Sequence, residues 1–303
     1  MTARIEPPQQ PATPRHAATV MLLREERGEI EVLLTRRHEQ MSFMGGMWVF
    51  PGGALSSADT ADAALELLFE PEKLGCERFV DPEGQPLPRP LCLGLAMAAC
   101  RETLEETGVL LATAAGGHDI RGDVLARMHE RRRAIVSQPE LFATLLREEH
   151  LRIDLKNLLY WAHWITPTAV TKRFDTRFFV ARLPPEQVPA IDAIEATEMV
   201  WMTPAALITA ARDDAMTLSP PTLFNLMELD ASVRQHVSLD AIFAAETQRD
   251  IVAVLPMLVR GERNVLVMPW DAEYHKLTGG TERWKNSYPA RLKALSSRVL
   301  MNR

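Results

Sequence analysis

A proline-free segment with one acidic face constrains this chain more than any other part of the sequence. Leu91–Thr107 follows a proline-rich stretch and precedes Gly108, a residue type that commonly ends a helix. Its apolar side chains recur at helical spacing, which leaves the charged residues on another face. The apolar positions are Leu95, Ala98, Ala99 and Leu104, and the charged positions are Arg101, Glu102, Glu105 and Glu106. We therefore predict a helix that buries one side and presents three carboxylates on the other.

Composition narrows the class of protein. The 303 residues allow one large domain or two small ones, and 47% hydrophobic residues with 24% charged residues can bury a sizeable core. The net charge of −6 argues against general binding of nucleic acid or anionic membranes. Three cysteines cannot form a disulfide framework, and no leader or membrane-length apolar run is found, so a cytoplasmic protein is expected.

The remaining pattern alternates strands and helices around this segment. A hairpin is expected where Gly261 separates two apolar runs. Strands are predicted at Ala17–Leu23, Ile30–Thr35, Leu158–Ile165, Arg177–Leu183 and Met199–Met202, and the hairpin at Ile251–Val259 and Asn264–Met268. Helices are predicted at Asp59–Phe69, across Asp123–His150 with a break near Pro139, from Ser219 to Leu229, at Leu239–Thr247, and after Pro289.

Composition shifts suggest where the chain divides. Residues 1–15 carry four prolines and no apolar period, which is typical of a disordered arm. One domain is expected at 16–212, and residues 213–303 are expected to form a helical and hairpin extension. Residues 71–90 hold five prolines, which predicts a surface loop rather than a regular element.

The clustered carboxylates suggest a metal site. Glu102, Glu105 and Glu106 fall at i, i+3 and i+4 and therefore share a helix face. Their mutual repulsion would be relieved by a hard divalent cation such as Mg²⁺, which takes oxygen ligands. The alternative is an ordinary acidic helix end in which Arg101 pairs with Glu105 four residues later.

Two separated stretches together resemble the Nudix box, G-x5-E-x7-R-E-U-x-E-E-x-G-U, in which U is bulky and apolar. Arg101–Val109 matches its second half, with Thr103 at the first U, and Phe50-Pro51-Gly52-Gly53 contains its first glycine. Asp59 stands where the family has glutamate, which keeps a carboxylate. Gly53 lies 48 positions before Arg101 whereas the uninterrupted box allows 14, so an insertion at about 60–93 splits the box.

A further resemblance points to the coenzyme A diphosphatases. Their signature, L-L-T-x-R-S-x3-R-x3-G-x3-F-P-G-G, is matched from Leu33 through Arg37 and Gly46 to Phe50 and Gly53, with His38 and Ser42 as departures. The split box resembles the peroxisomal-type members. Trp164-Ile165-Thr166-Pro167 and Arg173–Phe179 are similar to two further blocks of that group.

These resemblances imply an α/β/α Nudix sandwich with a mixed sheet, a C-terminal α+β extension and specific residue roles. Mg²⁺ or Mn²⁺ would be held by Glu102, Glu105, Glu106 and the Gly53 carbonyl, with Arg101 orienting the carboxylates. The general base would be Glu106, or an acid on a later loop, Glu195 or Glu198. Substrate contacts are expected from Arg37, Gly46, Phe50 and Arg173. Arg37, Arg173 and Lys172 are candidates for binding a 3′-phosphate, with an ordinary surface charge as the alternative for each.

The implied activity is metal-dependent hydrolysis of a nucleoside diphosphate derivative, with coenzyme A or acyl-CoA as first choice. Its products would be 3′,5′-ADP and a 4′-phosphopantetheine. Two alternatives stay open. An ADP-ribose or dinucleotide pyrophosphatase is favoured by Ser42, and a non-catalytic nucleotide-binding regulator is disfavoured by the intact carboxylates. The expected partner is a small nucleotide, with no nucleic acid or membrane partner, and a homodimer is compatible with the sequence.

Overall fold

The structure, a computed structural model, describes residues 11–41, 44–114, 118, 120–191, 196–261, 263–277 and 288–301. The strands are β1 (Arg15–Glu26), β2 (Glu29–Arg37), β3 (Trp48–Val49), β4 (Gly52–Ala54), β5 (Leu68–Phe69), β6 (Thr113–Ala114), β7 (Leu151–Asp154), β8 (Leu158–Ile165), β9 (Phe174–Arg182), β10 (Ala196–Met202), β11 (Ala253–Val254), β12 (Met257–Val259), β13 (Asn264–Val267) and β14 (Arg298–Met301). The helices are α1 (Asp62–Leu65), α2 (Arg89–Thr107), α3 (Gly122–Ser137), α4 (Glu140–Glu148), α5 (Pro204–Arg212), α6 (Pro220–Gln235), α7 (Leu239–Glu246), α8 (Tyr274–Leu277) and α9 (Ala290–Lys293).

A mixed sheet forms the centre of the molecule. Its main order is β10-β2-β1-β9-β8-β11, with β3 paired to β2 and β4 paired to β1. Strand β1 runs parallel to β9 and antiparallel to β2 and β4, as a mixed sheet requires. The pairing of β4 with β1 places the glycine-rich half of the box directly on the central strands.

Both faces of the sheet are covered. Alternate side chains of β1 enter two different cores, because successive residues of a strand point to opposite faces. Val20 and Leu22 pack with helix α2, whereas Met21 and Leu23 pack with helices from the second half of the chain. All four are fully buried. This arrangement confirms the predicted α/β/α sandwich.

The region after residue 212 is part of the same fold, so the predicted boundary there does not separate two cores. Phe224 of α6 and Leu292 of α9 lie in the same core as Met21 of β1. Strand β11 adds to the main sheet by pairing in parallel with β8. The guanidinium of Arg249, just before β11, lies 3.8 Å from the ring centre of Trp161 on β8. The predicted hairpin is present as β12 and β13, and β14 extends it to three strands.

The first part of the proline-rich segment 71–90 is packed, which corrects the expectation of a surface loop there, whereas residues 81–88 form no helix or strand and none of them is buried. The packed part contains two 3₁₀ helices, Pro71–Leu74 and Cys76–Arg78. Phe79 is fully buried, and its ring centre lies 4.0 Å from that of Tyr160 on β8. The Val80 carbonyl accepts a hydrogen bond of 2.7 Å from Arg177 on β9. A few apolar side chains therefore outweigh the prolines, because they bury enough surface to order the segment.

Other elements depart from prediction at their ends. The helix expected over Asp59–Phe69 is wrong in its second half, because Leu68 pairs with Ile153 of β7 and is buried there. Order begins before residue 16, since Arg15 starts β1, while residues 1–10 of the expected arm lie outside the described residues. No helix in the described part of the chain has the length and apolar character needed to span a bilayer.

Candidate active site

Helix α2 supplies the acidic face. It begins two residues earlier than predicted, with Pro90 in its first turn, where a missing backbone N–H costs little. It ends where Gly108 takes a φ of 72° and donates its N–H to the Leu104 carbonyl at 2.9 Å. That left-handed conformation is one that glycine adopts without strain. Leu95 and Leu104 are fully buried, so the opposite face, with its three glutamates, is directed toward β4.

An ion pair closes the split box. The Arg101 guanidinium donates from Nε to Asp59 Oδ1 at 2.8 Å and from Nη2 to Asp59 Oδ2 at 2.9 Å. Both side chains are at most 3% exposed. Asp59 is itself fixed by the short 3₁₀ helix after Ser56, whose backbone N–H donates to Asp59 Oδ2 at 2.8 Å. Asp59 therefore takes the family glutamate's position in the sequence and binds the arginine on the other side of the insertion.

Arg101 also gathers two of the three carboxylates. Its Nη1 donates to Glu105 Oε1 and to Glu102 Oε1, both at 2.8 Å. The predicted pairing of Arg101 with Glu105 is thus confirmed. Glu106 is held differently, since its Oε2 accepts the Gly52 backbone N–H at 3.2 Å.

Glu102 lies against the backbone of the glycine pair. A Cβ atom at Gly53 would come within 2.4 Å of Glu102 Oε2, so only glycine allows this approach. Burial raises the pKa of Glu102 to about 7, the charge of Glu105 acts in the same direction, and Arg101 opposes both. Burial thus makes Glu102 easier to protonate, in spite of its contact with Arg101.

A cavity of about 260 Å³ opens beside this cluster. Gly52 and Gly53 of β4 line this cavity. Arg37, the last residue of β2, and Phe50, which follows β3, line it as well. The Arg37 Nε is buried and has no hydrogen-bond partner in the described part of the chain. A cationic donor thus remains available on the cavity wall near the acidic cluster.

Comparison with known proteins decides the family. A family model described as the NUDT19 Nudix domain matches residues 10–229. The chain belongs to this Nudix family. The match extends past residue 212, in agreement with the continuous core beyond that point.

Relatives and a solved structure agree with this Nudix assignment. The acyl-coenzyme A diphosphatase NUDT19 of Gallus gallus is 30% identical over 234 residues, which cover 66% of this chain and 61% of that protein. The protein of the same name from Homo sapiens is 28% identical over 227 residues, with 65% and 60% coverage. The chain thus spans less than two thirds of the length of these curated relatives. A Nudix hydrolase from Alicyclobacillus acidocaldarius superposes with a TM-score of 0.59 at 24% identity over 77% of this chain and 96% of that one, which supports the fold.

The Nudix carboxylates fit a divalent ion in donor chemistry. Three carboxylates and a backbone carbonyl are hard oxygen donors of the type that Mg²⁺ takes, and Glu102 lies close against Gly53, whose carbonyl is the fourth donor. Across the ranges that the structure describes, however, no three acidic, histidine or cysteine side chains are already arranged to hold an ion.

The predicted substrate residues are only partly brought together. Gly46 donates its N–H to the Arg37 carbonyl at 3.1 Å, and Phe50 meets Phe178 edge-on with ring centres 6.5 Å apart. Arg173 instead binds the carbonyls of Thr166 at 3.0 Å and Ala12 at 2.6 Å. These bonds tie the start of the chain to the sheet, so the placement does not support a substrate role for Arg173.

Of the two late acids, the structure describes Glu198, which is placed less favourably than Glu106. Glu198 is half exposed on edge strand β10 and pairs with Arg36 at 2.6 Å. Glu198 therefore forms an ordinary ion pair at the solvent-exposed edge of the sheet. Glu195 and Ser42 lie outside the described residues.

Sequence reasoning missed one wall of the cavity. Residues of the region after 212 form it. The helix from Ser219 and the hairpin strands were predicted there, but none of their residues was assigned to the site. The sequence did contain one indication of this cavity. Trp164–Pro167, which resembles a block of the peroxisomal-type coenzyme A diphosphatases, lines the same cavity.

Proposed function

We propose that this protein is a metal-dependent hydrolase that cleaves the pyrophosphate bond of coenzyme A or acyl-CoA. The oxygen of water would bond to one phosphorus, and the bridging P–O bond would break. The products would be 3′,5′-ADP and a 4′-phosphopantetheine, each a phosphate monoester.

The observation that carries the proposal is the joined box. Asp59 and Arg101 bring the two halves together across the insertion, which sets Glu102 against Gly53 and Glu106 against Gly52. A chain that only bound nucleotides would have no evident need for three carboxylates around one arginine. The printed names of the chicken and human relatives, acyl-coenzyme A diphosphatase, agree with this choice of substrate.

Each site residue has a distinct part in the proposal. Glu102, Glu105, Glu106 and the Gly53 carbonyl would hold Mg²⁺ or Mn²⁺, which when bound neutralises and positions the pyrophosphate. Arg101 fixes the carboxylates of Glu102 and Glu105 from behind, because it contacts both with the same nitrogen.

Substrate charge and the water proton would be handled by two further groups. Arg37 would donate to a phosphate oxygen through the buried Nε, a charge-assisted contact. We assign the general base to Glu106, because it accepts the N–H of Gly52, a residue of the cavity wall, whereas Glu198 is held by Arg36 at the edge of the sheet.

A substrate panel tests the function. Purified protein is incubated with Mg²⁺ or Mn²⁺ and CoA, decanoyl-CoA, ADP-ribose or NADH, and products are separated by chromatography with mass detection. We expect 3′,5′-ADP from CoA and decanoyl-CoA at higher kcat/KM than any product from ADP-ribose or NADH. Faster cleavage of ADP-ribose than of CoA would favour the ADP-ribose or dinucleotide pyrophosphatase. No cleavage of any compound would favour the non-catalytic nucleotide-binding regulator.

We further propose a reducing, cytoplasmic setting. The three cysteines, Cys76, Cys92 and Cys100, are all free thiols, and two of them are buried. Fluorescence microscopy of the tagged full-length chain in its native cell tests this location.

A further inference from the structure

The cavity beside the box has a second wall that comes from the far end of the chain. Pro220 at the start of α6, Leu258 on β12 and Leu266 on β13 face Phe174 and Phe178 of β9 across it. Pro220, Leu258 and Leu266 are apolar and belong to three elements that follow residue 212. The wall is therefore built by the C-terminal region against the central sheet.

The polar groups of this cavity are few, and some are already engaged. Ser219 Oγ is 2.8 Å from Thr222 Oγ1, and Thr166 Oγ1 accepts the Phe174 N–H at 3.0 Å. Of the lining side chains that the structure describes, Arg37 alone is charged. The cavity thus offers apolar surface, scattered hydroxyls and one cation at its box end.

The two halves of an acyl-CoA differ in what they require. The adenosine half carries a 3′-phosphate and a polar base, and burying that phosphate among apolar side chains would be costly without several cationic partners. The other half is a thin arm with a dimethyl group, a hydroxyl, two amides and an acyl thioester. Its methylenes gain by leaving water, and its amides are satisfied by occasional hydroxyls.

We propose that the cavity receives the acyl-pantetheine arm, and that Leu258 and its neighbours in the C-terminal region contact the acyl chain. The adenosine half then lies on the open side of the box. This inference rests on the proposed function for its substrate and adds which half is enclosed and which residues select it.

Binding of the two product halves tests the inference without turnover. Wild-type protein is titrated by calorimetry with 4′-phosphopantetheine, S-decanoyl-4′-phosphopantetheine and 3′,5′-ADP. Each buried methylene contributes about fourfold in affinity, which is the ~0.8 kcal/mol for a buried CH₂. We therefore expect the decanoyl arm to bind at least tenfold more tightly than the arm without an acyl chain.

Two substitutions fill the cavity from different sides. Leu258→Trp acts from β12, and Val170→Phe acts from the loop after β8, so failure of one to fold leaves the other. Leu300→Trp is the matched control, because Leu300 lies on the same small sheet, is 59% exposed and does not line the cavity. We expect the filling variants to weaken binding of the decanoyl arm at least tenfold and to change that of 3′,5′-ADP less than twofold.

Contrary results are distinct from failure of the proposed function. The inference would be overturned if the wild type bound both arms with equal affinity. It would also be overturned if the filling variants weakened the binding of 3′,5′-ADP and left that of the decanoyl arm unchanged. Selective binding of the decanoyl arm without hydrolysis of any CoA compound would uphold the cavity assignment and overturn the enzymatic proposal. Hydrolysis without acyl selectivity would do the reverse.

Discussion

Asp59 and Arg101 form a two-hydrogen-bond ion pair although 42 positions separate them in the chain. The pair connects the start of the insertion to helix α2, which follows it. Because Arg101 also holds Glu102 and Glu105, the geometry of the acidic cluster depends on a contact formed across the whole insertion.

Asp59→Asn should lower both stability and turnover. Removing one partner of a buried ion pair costs ~3–5 kcal/mol, and we expect the lower end because Glu102 and Glu105 still contact Arg101. Urea unfolding and kcat measure the two effects. Asp62→Asn, an exposed position on α1, is the control and should change neither. Normal stability and kcat in Asp59→Asn would show that the pair does not organise the box.

Glu105→Gln and Glu106→Gln should each lower kcat by several decades while leaving the protein folded. Both changes remove a proposed metal ligand and relieve repulsion between neighbouring carboxylates. Arg101 loses one charged partner in Glu105→Gln but keeps its contacts with Asp59 and Glu102, so the fold should survive. Steady-state kinetics with Mg²⁺ and circular dichroism measure the two outcomes. Glu130→Gln on the exposed face of α3 serves as the matched control. Wild-type rates in both variants would remove these residues from the site.

Phe79→Ala should destabilise the protein by ~3–5 kcal/mol, the usual cost of emptying a buried phenylalanine site. Its ring is fully buried against Tyr160, so the insertion cannot detach without exposing that surface. Chemical unfolding measures the change. Phe69→Ala, in the same insertion but 38% exposed, should cost much less. Metal affinity of folded Phe79→Ala should stay within a few-fold of wild type, and loss of metal binding would place the insertion in the site.

Arg37→Gln should lower kcat/KM for CoA by roughly one to two decades, the ~1.5–3 kcal/mol of a hydrogen bond to a charged group. We expect an equal loss for 3′-dephospho-CoA, because Arg37 lines the cavity together with the box glycines and would contact the pyrophosphate. Arg36→Gln, its neighbour engaged with Glu198, is the control. A loss confined to CoA would assign Arg37 to the 3′-phosphate instead.

Acid should weaken the fold through His163. Burial lowers the pKa of His163 to about 4, with the charge of Arg177 adding to that effect and Asp175 opposing it. His163 therefore binds a proton below about pH 6.5 in the unfolded chain, but only below about pH 4 in the folded chain. The free energy of unfolding should therefore decrease as the pH is lowered from about 6.5 to about 4. The decrease is ~1.4 kcal/mol per pH unit at most and ~3 kcal/mol in total.

His163→Gln removes the titrating group and should flatten this part of the curve, as measured by urea unfolding between pH 4 and 7. The partly exposed His236, changed in the same way, is the control. An unaltered pH profile in His163→Gln would show that the acid sensitivity arises elsewhere.

Local pattern made the acidic helix and the box predictable, because α2 is specified by residues three and four apart. The partner of Asp59 was not predictable from spacing, since it depends on how the insertion folds back. Phe79 was overlooked because prolines around it indicate a loop, although its ring finds Tyr160 only in the folded chain. The cavity wall was missed for a similar reason, as Leu258 and Leu266 meet β9 only through tertiary packing.

The origin of that wall has an evolutionary consequence. In the proposed function the chemistry would depend on residues of α2 and β4, whereas the surface proposed to face an acyl chain comes from α6, β12 and β13. Substitutions in these later elements could change which chains are accepted without touching a single carboxylate. Relatives could thus diverge in selectivity by drift in the last third of the sequence while the box stays fixed by Asp59 and Arg101.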